Sequence, residues 1–344
     1  MTLDRRTFLA SLSGTLASAI VRAQPAPPAK KRIDMHHHFG PPTWAAAMKG
    51  NPMLQPSNAA WTPEKSLEDL DRGNAAAAVL SITNPGLFLG DKSPGDQPRA
   101  VRLARECNDY GAKVVQAHPT RFGLLAALPL PDVDASLKEI AYAFDQLHVD
   151  GIGLMTSFGG TWLGNPAYRP VMEELNRRNA VVLVHPTAAE CCRTLNYAPG
   201  VGAGSLEYGT DTTRAIMGVC FSGDAVRFPN IRWIWSHGGG TLPFLAARIA
   251  GAANNKKEEL PNGLMPELKK FYYDLAGATN IGVISSLKQL VGPDHILFGT
   301  DFPPGGRILE TAQTLHSFNA FTEADLQLIE RENAVKLLPR LAAL

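Results

Sequence analysis

The side chains in this sequence best suited to chemistry are three histidines and an aspartate that each end a short apolar run. His36 and His38 end the first run, His185 ends the fifth and Asp301 ends the eighth. Because side chains alternate along a strand, His36 and His38 share a face while His37 points the other way. Two imidazoles at this spacing can reach one metal ion, and His185 and Asp301 supply the remaining ligands. Three nitrogens, one oxygen and an open position suit catalytic zinc, and they also admit manganese or iron.

The elements that must position these ligands are eight apolar runs that alternate with helical patterns. Each run is continuously apolar, as expected for strands buried on both faces. The predicted strands span residues 32–36, 77–82, 123–129, 151–156, 181–185, 231–237, 271–275 and 296–301. The clearest predicted helices span residues 98–117, 133–147, 168–178, 209–228, 242–250 and 281–290. This alternation predicts an α/β fold, a closed parallel (β/α)8 TIM barrel whose strands all end on one open face.

The connections refine this expectation. An open doubly wound sheet is the alternative, but no GxGxxG or Walker A loop follows any predicted strand. The segment 41–62 is long and rich in Pro and Asn, which predicts a functional loop such as a lid. Asp132 is predicted to cap the helix that follows it. Residues 322–341 are predicted to form two helices that pack on the barrel.

The N-terminus carries the pattern of a twin-arginine export signal. Arg5 and Arg6 precede a mildly apolar run over residues 8–21, and Ala23 offers a cleavage site after small residues. The run is too short, and too rich in Ser, Gly and Ala, to span a bilayer comfortably. The alternative is an amphipathic helix of the mature protein. We expect a signal over residues 1–23, a linker over 24–31, a barrel domain over 32–344 and a periplasmic location.

The composition excludes several classes of partner. The chain has 344 residues, of which 45% are hydrophobic and 19% charged, and its net charge is +1. This near-neutral net charge gives no excess of positive charge for binding nucleic acid or an acidic membrane surface. None of the four cysteines lies in a CxxC pair, so a cysteine zinc site is not expected. The composition therefore predicts a large core and a small-molecule site, with no membrane insertion once the signal is removed.

Four motifs in order resemble the amidohydrolase superfamily, in the branch of aminocarboxymuconate-semialdehyde decarboxylase. They are Asp-Met-His-His-His-Phe (34–39), Val-His-Pro (184–186), Ser-His-Gly-Gly-Gly (236–240) and Gly-Thr-Asp-Phe-Pro (299–303). A closer resemblance is to the 6-methylsalicylate decarboxylase type. It is carried by residues 150–154, 174–178, 185–187, 191–193 and 208–222.

The resemblance implies roles for further residues. His36, His38, His185 and Asp301 would be the metal ligands, and His237 would act on the metal-bound water or the reacting carbon. Arg248 matches an arginine that binds the substrate carboxylate from a neighbouring subunit, which implies a homodimer.

Two missing residues further restrict the expected number of metal ions and the expected substrate. The fourth strand end, residues 151–157, lacks the lysine of binuclear members, so one metal ion is expected. The aminocarboxymuconate decarboxylases use an arginine from the first long loop, and none lies between Arg32 and Arg72. The absence of this arginine favours a substrate with one carboxylate.

Together these observations predict a metal-dependent, non-oxidative decarboxylase that acts on a small aromatic or unsaturated monocarboxylic acid similar to salicylate. Zinc is the preferred ion and manganese the second choice. Asp301 would carry the proton, and Trp44, Trp61 and Phe39 would wall the apolar part of the pocket. A hydrolase of a lactone, amide or ester on the same fold is the alternative, because the metal ligands alone do not separate the two reactions. A non-catalytic binding protein is a further alternative, disfavoured by the open coordination position.

Overall fold

The computed structural model describes residues 32–88, 96–187 and 202–343. The predicted signal and linker, together with Cys191 and Cys192, lie outside the described residues. No helix in the described ranges combines the length and the apolar character needed to cross a membrane.

Eight parallel strands form one sheet in chain order. They are β1 (Arg32–His38), β2 (Ala75–Ser81), β3 (Phe122–Ala127), β4 (Gly151–Met155), β5 (Val181–His185), β6 (Arg232–Trp235), β7 (Tyr272–Asp274) and β8 (Ile296–Leu297). The Met35 amide donates to the Phe298 carbonyl at 3.0 Å, and the Asp301 amide donates to the His36 carbonyl at 2.9 Å. These bonds join β1 to the chain that follows β8 and nearly close the barrel. The predicted (β/α)8 fold is confirmed.

Helices surround the barrel. The α-helices are Pro42–Ala47, Pro56–Ala59, Pro63–Arg72, Asp96–Ala117, Val133–Asp145, Arg169–Arg177, Ala203–Phe221, Asp224–Arg227, Leu242–Ala252, Leu264–Leu268, Ile281–Leu290, Ile308–Ser317, Glu323–Gln327 and Asn333–Leu337. Between β4 and β5, Ser157–Phe158 and Thr161–Trp162 form a short antiparallel hairpin.

Several helix boundaries differ from the prediction for local reasons. The helix predicted over 209–228 begins earlier and is split at Gly223, whose φ of 79° is left-handed and interrupts the helix. The two helices predicted over 322–341 are a series of shorter turns, including a π-helical turn at Leu328–Glu332. The predicted cap is confirmed, because the Asp132 side chain accepts from the Ala135 amide at 2.9 Å.

The core has two layers, as barrels require. One lies between strands and helices and includes Trp44, Phe122 and Trp235. The other fills the barrel interior and joins strand residues such as Ile33 to Leu337 of the C-terminal segment. The Leu337 carbonyl accepts from Arg232 at the start of β6, so the C-terminal segment covers the amino ends of the strands. The opposite face of the barrel, where the predicted ligands lie, carries the cavity described below.

Candidate metal centre

A β-bulge in β1 sets the directions of its histidines. From Asp34 to His37 the strand takes three steps, opposite two steps of β2 from Ala78 to Leu80. A bulge of this kind re-aims the side chains beside it. His37 turns outward, with its Nδ1 2.9 Å from Asp34 Oδ2, and its Nε2 lies 2.8 Å from the hydroxyl of Ser66.

His36 and His38 turn inward, and their Nε2 atoms lie 3.0 Å apart. The predicted faces of the three histidines are therefore confirmed. Asp34 also joins β1 to the segment before Asp301, because its Oδ1 accepts from the amides of His36 and Thr300, each at 3.1 Å.

Asp301 Oδ1 is the point on which the inward histidines converge. It lies 3.4 Å from the Nε2 of His36, 2.9 Å from that of His38 and 3.7 Å from that of His185. Four ligands about 2.1 Å from one tetrahedral ion are about 3.4 Å apart, so these separations fit a single metal ion. Among the described residues this is the one group of three or more such ligands whose atoms all lie within 4.8 Å of one another.

The hydrogen bonds behind His185 and His38 leave their Nε2 atoms free to face the centre of the cluster. His185 Nδ1 lies 2.8 Å from the Pro186 carbonyl, which can only accept, so the proton of His185 is on Nδ1. His38 Nδ1 likewise faces the Ser81 carbonyl at 3.3 Å, and the Ser81 hydroxyl lies 3.1 Å away. The buried Nε2 of His185 has no hydrogen-bond partner in the described ranges. An unpaired, buried lone pair beside two imidazoles and a carboxylate is the chemistry that a divalent cation satisfies.

Asp274, at the end of β7, positions two parts of the site. Its Oδ2 accepts from His36 Nδ1 at 2.9 Å, and its Oδ1 accepts from the amides of His237 and Ala276, each at 3.0 Å. The side chain is fully buried. Sequence reasoning missed this residue, although an aspartate at the end of a predicted strand is the kind of signal that identified Asp301.

Replacing Asp274 with Asn is expected to weaken metal binding about 10- to 100-fold, because the amide cannot fix the His36 tautomer as a carboxylate does. Competition with a chromogenic chelator measures the affinity. The control is Asp294→Asn. The Asp294 side chain is 58% exposed and precedes β8, at the amino end of the strand and away from the ligands. Unchanged affinity in Asp274→Asn would show that the carboxylate is not needed to orient His36.

Charge is shared unevenly within the cluster. Burial disfavours a charged His36, but the Asp274 and Asp301 carboxylates outweigh it and raise its pKa to about 10. Burial lowers the pKa of His185 to about 3. Burial opposes ionisation of Asp301, yet the histidines around it hold its pKa well below the usual range. Metal binding must therefore displace a proton from His36, so the affinity falls as pH decreases.

His237 enters the site on a strained turn. Its φ is +55°, and the three glycines that follow it also have positive φ. A Cβ on Gly240 would lie 2.0 Å from the Gly209 carbonyl oxygen, so only glycine fits there. The turn places His237 Nε2 3.7 Å from Asp301 Oδ2, with 18% of the side chain exposed. Backbone strain of this kind clusters at functional sites.

A cavity of about 560 Å³ opens above the cluster. Its lining combines His185, His237 and Asp301 with mostly small and neutral polar residues: Gln55, Asn58, Thr83, Asn84, Gly204, Ser205, Leu206, Tyr208, Gly209, Gly240, Thr241, Gly277, Ala278, Val283, Pro304 and Gly305. Gln55 and Asn58 come from the segment 41–62, which was predicted to be functional.

The aromatic walls predicted from sequence lie elsewhere. Phe39, Trp44 and Trp61 are buried in the layer between strands and helices, and none lines the cavity. Phe39 points outward because it follows the inward His38 in the alternation of β1, and its ring packs 5.9 Å from that of Trp61. Arg248 is exposed on the helix Leu242–Ala252 and lies outside the cavity lining of its own chain.

Comparisons with known proteins agree with this geometry. The amidohydrolase family model matches residues 33–340. The decarboxylase yanB of Aspergillus niger is 39% identical over 331 residues, which cover 90% of this chain and 88% of that protein. The 6-methylsalicylic acid decarboxylase of Penicillium expansum is 34% identical over 327 residues, 90% of this chain and 97% of that protein.

A solved structure shares the fold. The dihydroxybenzoic acid decarboxylase of Polaromonas sp. JS666, determined with manganese and an inhibitor, superposes with a TM-score of 0.73 and 21% identity, covering 90% of this chain and 97% of that one. The family match over almost all of the described chain, together with the ligand geometry, makes this protein a member of the amidohydrolase family, in the branch of the 6-methylsalicylate and aminocarboxymuconate-semialdehyde decarboxylases.

Proposed function

We propose that this protein is a metal-dependent, non-oxidative decarboxylase of a small aromatic monocarboxylic acid similar to salicylate. The observation that carries the proposal is the cluster of three imidazoles and one carboxylate at the floor of the cavity, in a chain 34–39% identical to named decarboxylases. The hydrolase alternative uses the same ligands, but neither of these two relatives is named for hydrolysis.

His36, His38, His185 and Asp301 would hold one divalent ion, with zinc as our first choice and manganese, the ion in a structural neighbour, as the second. When bound, such an ion supplies Lewis acidity that orients an oxygen-bearing ring and draws electron density from it. Metal-depleted protein reconstituted separately with zinc and manganese distinguishes the two ions by their rates of carbon dioxide release.

Asp301 is the proposed proton carrier. Because its pKa lies well below the usual range, it holds no proton of its own at neutral pH. It must first take a proton, and the phenolic hydroxyl of a salicylate-like substrate is a source within the same cavity. Asp301 then gives this proton to the ring carbon that bears the carboxylate. The bond from that carbon to the carboxylate breaks, carbon dioxide leaves, and the bonding electrons restore the aromatic ring.

His237 is proposed to hydrogen-bond the reacting carboxylate. Its Nε2 and Asp301 Oδ2 are 3.7 Å apart on the cavity side of the cluster, close enough for one reacting group to contact both. The strained turn and the bond from the His237 amide to Asp274 fix the backbone of His237 before substrate arrives, so less ordering is left for the reaction itself.

The test is a substrate panel that separates the two reactions. Purified protein with measured metal content is offered hydroxybenzoates, aryl lactones and aryl esters. Carbon dioxide release from a hydroxybenzoate, without acid release from lactones or esters, is the expected result. Acid release alone would support the hydrolase function instead of the decarboxylase function, and tight binding without turnover would favour a binding protein.

A homodimer that completes the cavity is part of the proposal. Arg248 is exposed, and Phe244, one turn earlier on the same helix, is 82% exposed. A large exposed aromatic beside an arginine is typical of an interface centre. We place a second copy on this face, with Arg248 reaching the substrate carboxylate of its neighbour.

Phe244→Asp is expected to convert a dimer to a monomer in light scattering, because a charge would be buried without a partner. Arg248→Ala is expected to leave the dimer intact and to raise KM about 10- to 100-fold, since a charge-assisted bond to the carboxylate is lost. Arg177→Ala, on an exposed part of another helix, is the control. A fully active wild-type monomer would remove the second copy from the proposal.

Export by the twin-arginine route is also proposed, on the pattern of residues 5–23. Replacing Arg5 and Arg6 together with Lys is expected to retain uncleaved precursor in the cytoplasm, whereas the wild type is cleaved after Ala23 and recovered in the periplasm. Cell fractionation with N-terminal sequencing measures both. A cytoplasmic wild-type protein that keeps residues 1–23 would contradict the signal.

A further inference from the structure

Two asparagines in the cavity carry side-chain oxygens that no described residue satisfies. Asn58 is 1% exposed and Asn84 is 5% exposed, and both line the cavity above the metal cluster. Neither Oδ1 atom has a hydrogen-bond partner in the described ranges. Buried amide oxygens are rarely left unpaired, because the unpaired state costs free energy that a hydrogen bond would recover. Among the described residues, these two oxygens are therefore available to a ligand group in the cavity.

Asn58 is held rigidly against the metal-binding strand. It lies on the short helix Pro56–Ala59, and its carbonyl oxygen is so close to Gly40 that a Cβ there would lie 2.0 Å away. Gly40 follows His38 by two residues, so Asn58 is positioned relative to a metal ligand by direct backbone contact.

Asn84 is anchored independently. It lies in a turn after β2, closed by the Gly86 amide donating to the Thr83 carbonyl at 2.9 Å. The indole nitrogen of Trp44 donates to the Gly86 carbonyl, also at 2.9 Å, and ties this turn to the helix Pro42–Ala47. Trp44 thus supports the cavity wall from behind. Two asparagines on anchored backbone segments lose less freedom when they bind a ligand, which is the usual design of a recognition site.

The chemistry of the lining restricts what these amides can bind. No Lys or Arg is among the described residues that line the cavity, so a second carboxylate or a phosphate would have no cationic partner among them. An amide presents one oxygen acceptor and one NH2 donor, whichever way it is turned. A ring hydroxyl both donates and accepts, and it therefore matches an amide. A methyl group would leave the amide oxygens unsatisfied.

We infer that Asn58 and Asn84 form a polar subsite that selects aromatic acids with a ring hydroxyl beyond the one that binds at the metal. This inference rests on the proposed decarboxylase function and narrows its substrate class. The hydroxyl donates to an amide oxygen and accepts from an amide NH2. The preferred substrates are thus dihydroxybenzoates rather than alkyl salicylates. Sites built to hydrogen-bond a hydroxyl reject the analogue without it far more strongly than apolar pockets reject an added methyl group.

The experiment compares substrates that differ by one group. Wild type, Asn58→Leu and Asn84→Leu are assayed for carbon dioxide release from salicylate, 6-methylsalicylate and the 2,3-, 2,4-, 2,5- and 2,6-dihydroxybenzoates. Leu has nearly the shape of Asn without its polar atoms. Asn262→Leu, at an exposed position, is the matched control.

The expected result has two parts. Wild type has its highest kcat/KM on one dihydroxybenzoate, and each cavity variant loses roughly 10- to 100-fold on that substrate while salicylate changes less than about threefold. Activity on salicylate and an unchanged metal content show that the variants are folded.

Three outcomes would overturn the inference while leaving the decarboxylase in place. They are a wild-type preference for 6-methylsalicylate, an equal loss on every substrate, which would assign the amides to the reacting carboxylate, and no loss on any. Turnover of none of the six acids by wild type would instead contradict the proposed function itself.

Discussion

Asp301→Asn is expected to lower kcat by at least about 10³-fold. In the proposed mechanism Asp301 combines two roles, since its Oδ1 lies 2.9–3.7 Å from three ligand nitrogens and its carboxylate would carry the proton to carbon. The amide can do neither, because it has no charge to balance the metal and accepts no proton at neutral pH. Asn is nonetheless well suited to the backbone there, whose φ is +60°.

Carbon dioxide release under single-turnover conditions, together with elemental analysis, measures the two roles separately. Asp294→Asn is again the exposed control. If Asp301→Asn kept its metal and lost less than about tenfold in rate, another group would have to deliver the proton. Loss of metal with full recovery of activity in excess zinc would reduce Asp301 to a ligand only.

His237→Asn is expected to lower kcat about 10²- to 10⁴-fold while the metal content stays unchanged. His237 lies within 3.7 Å of Asp301 in the cavity, but it is outside the group of four ligands. In the proposed mechanism it hydrogen-bonds the reacting carboxylate, so its loss is expected to affect the reaction and to spare the metal.

The chain offers a closely matched control for this experiment. His148 is exposed at the amino-terminal side of β4 and has a φ of +54°, almost that of His237 at +55°. Asn tolerates this left-handed backbone better than other residues, so His148→Asn and His237→Asn impose the same local change. Near-normal turnover in His237→Asn would remove the imidazole from the mechanism, whereas a loss of metal would identify it as a further ligand.

The fold and the metal ligands were predictable because both depend on local patterns that repeat along the chain. Each strand is a continuous apolar run, and in a parallel barrel every run ends on the same face. His36, His38, His185 and Asp301 could therefore be grouped by their place at strand ends, without knowledge of any contact. Alternation along β1 also predicted that His37 would turn outward. The same alternation applied one residue further would have placed Phe39 outside the cavity.

The groups that surround the ligands depended on the tertiary structure. Asn58 lies on the short helix Pro56–Ala59 and Asn84 lies in a turn. Contacts with Gly40 and Trp44, which are distant in sequence, set the positions of these segments, so no periodic pattern predicts them.

Asp274 is a second case in which only the tertiary structure decided the position of a group at the metal site. It ends a strand of three residues, and its bond to His36 spans 238 positions of the chain. From sequence alone, the amino acids determined the barrel and the four atoms that can hold an ion, because strand ends converge by topology. Only the folded chain decided which neutral groups line the cavity, because that depends on how each loop packs against its neighbours.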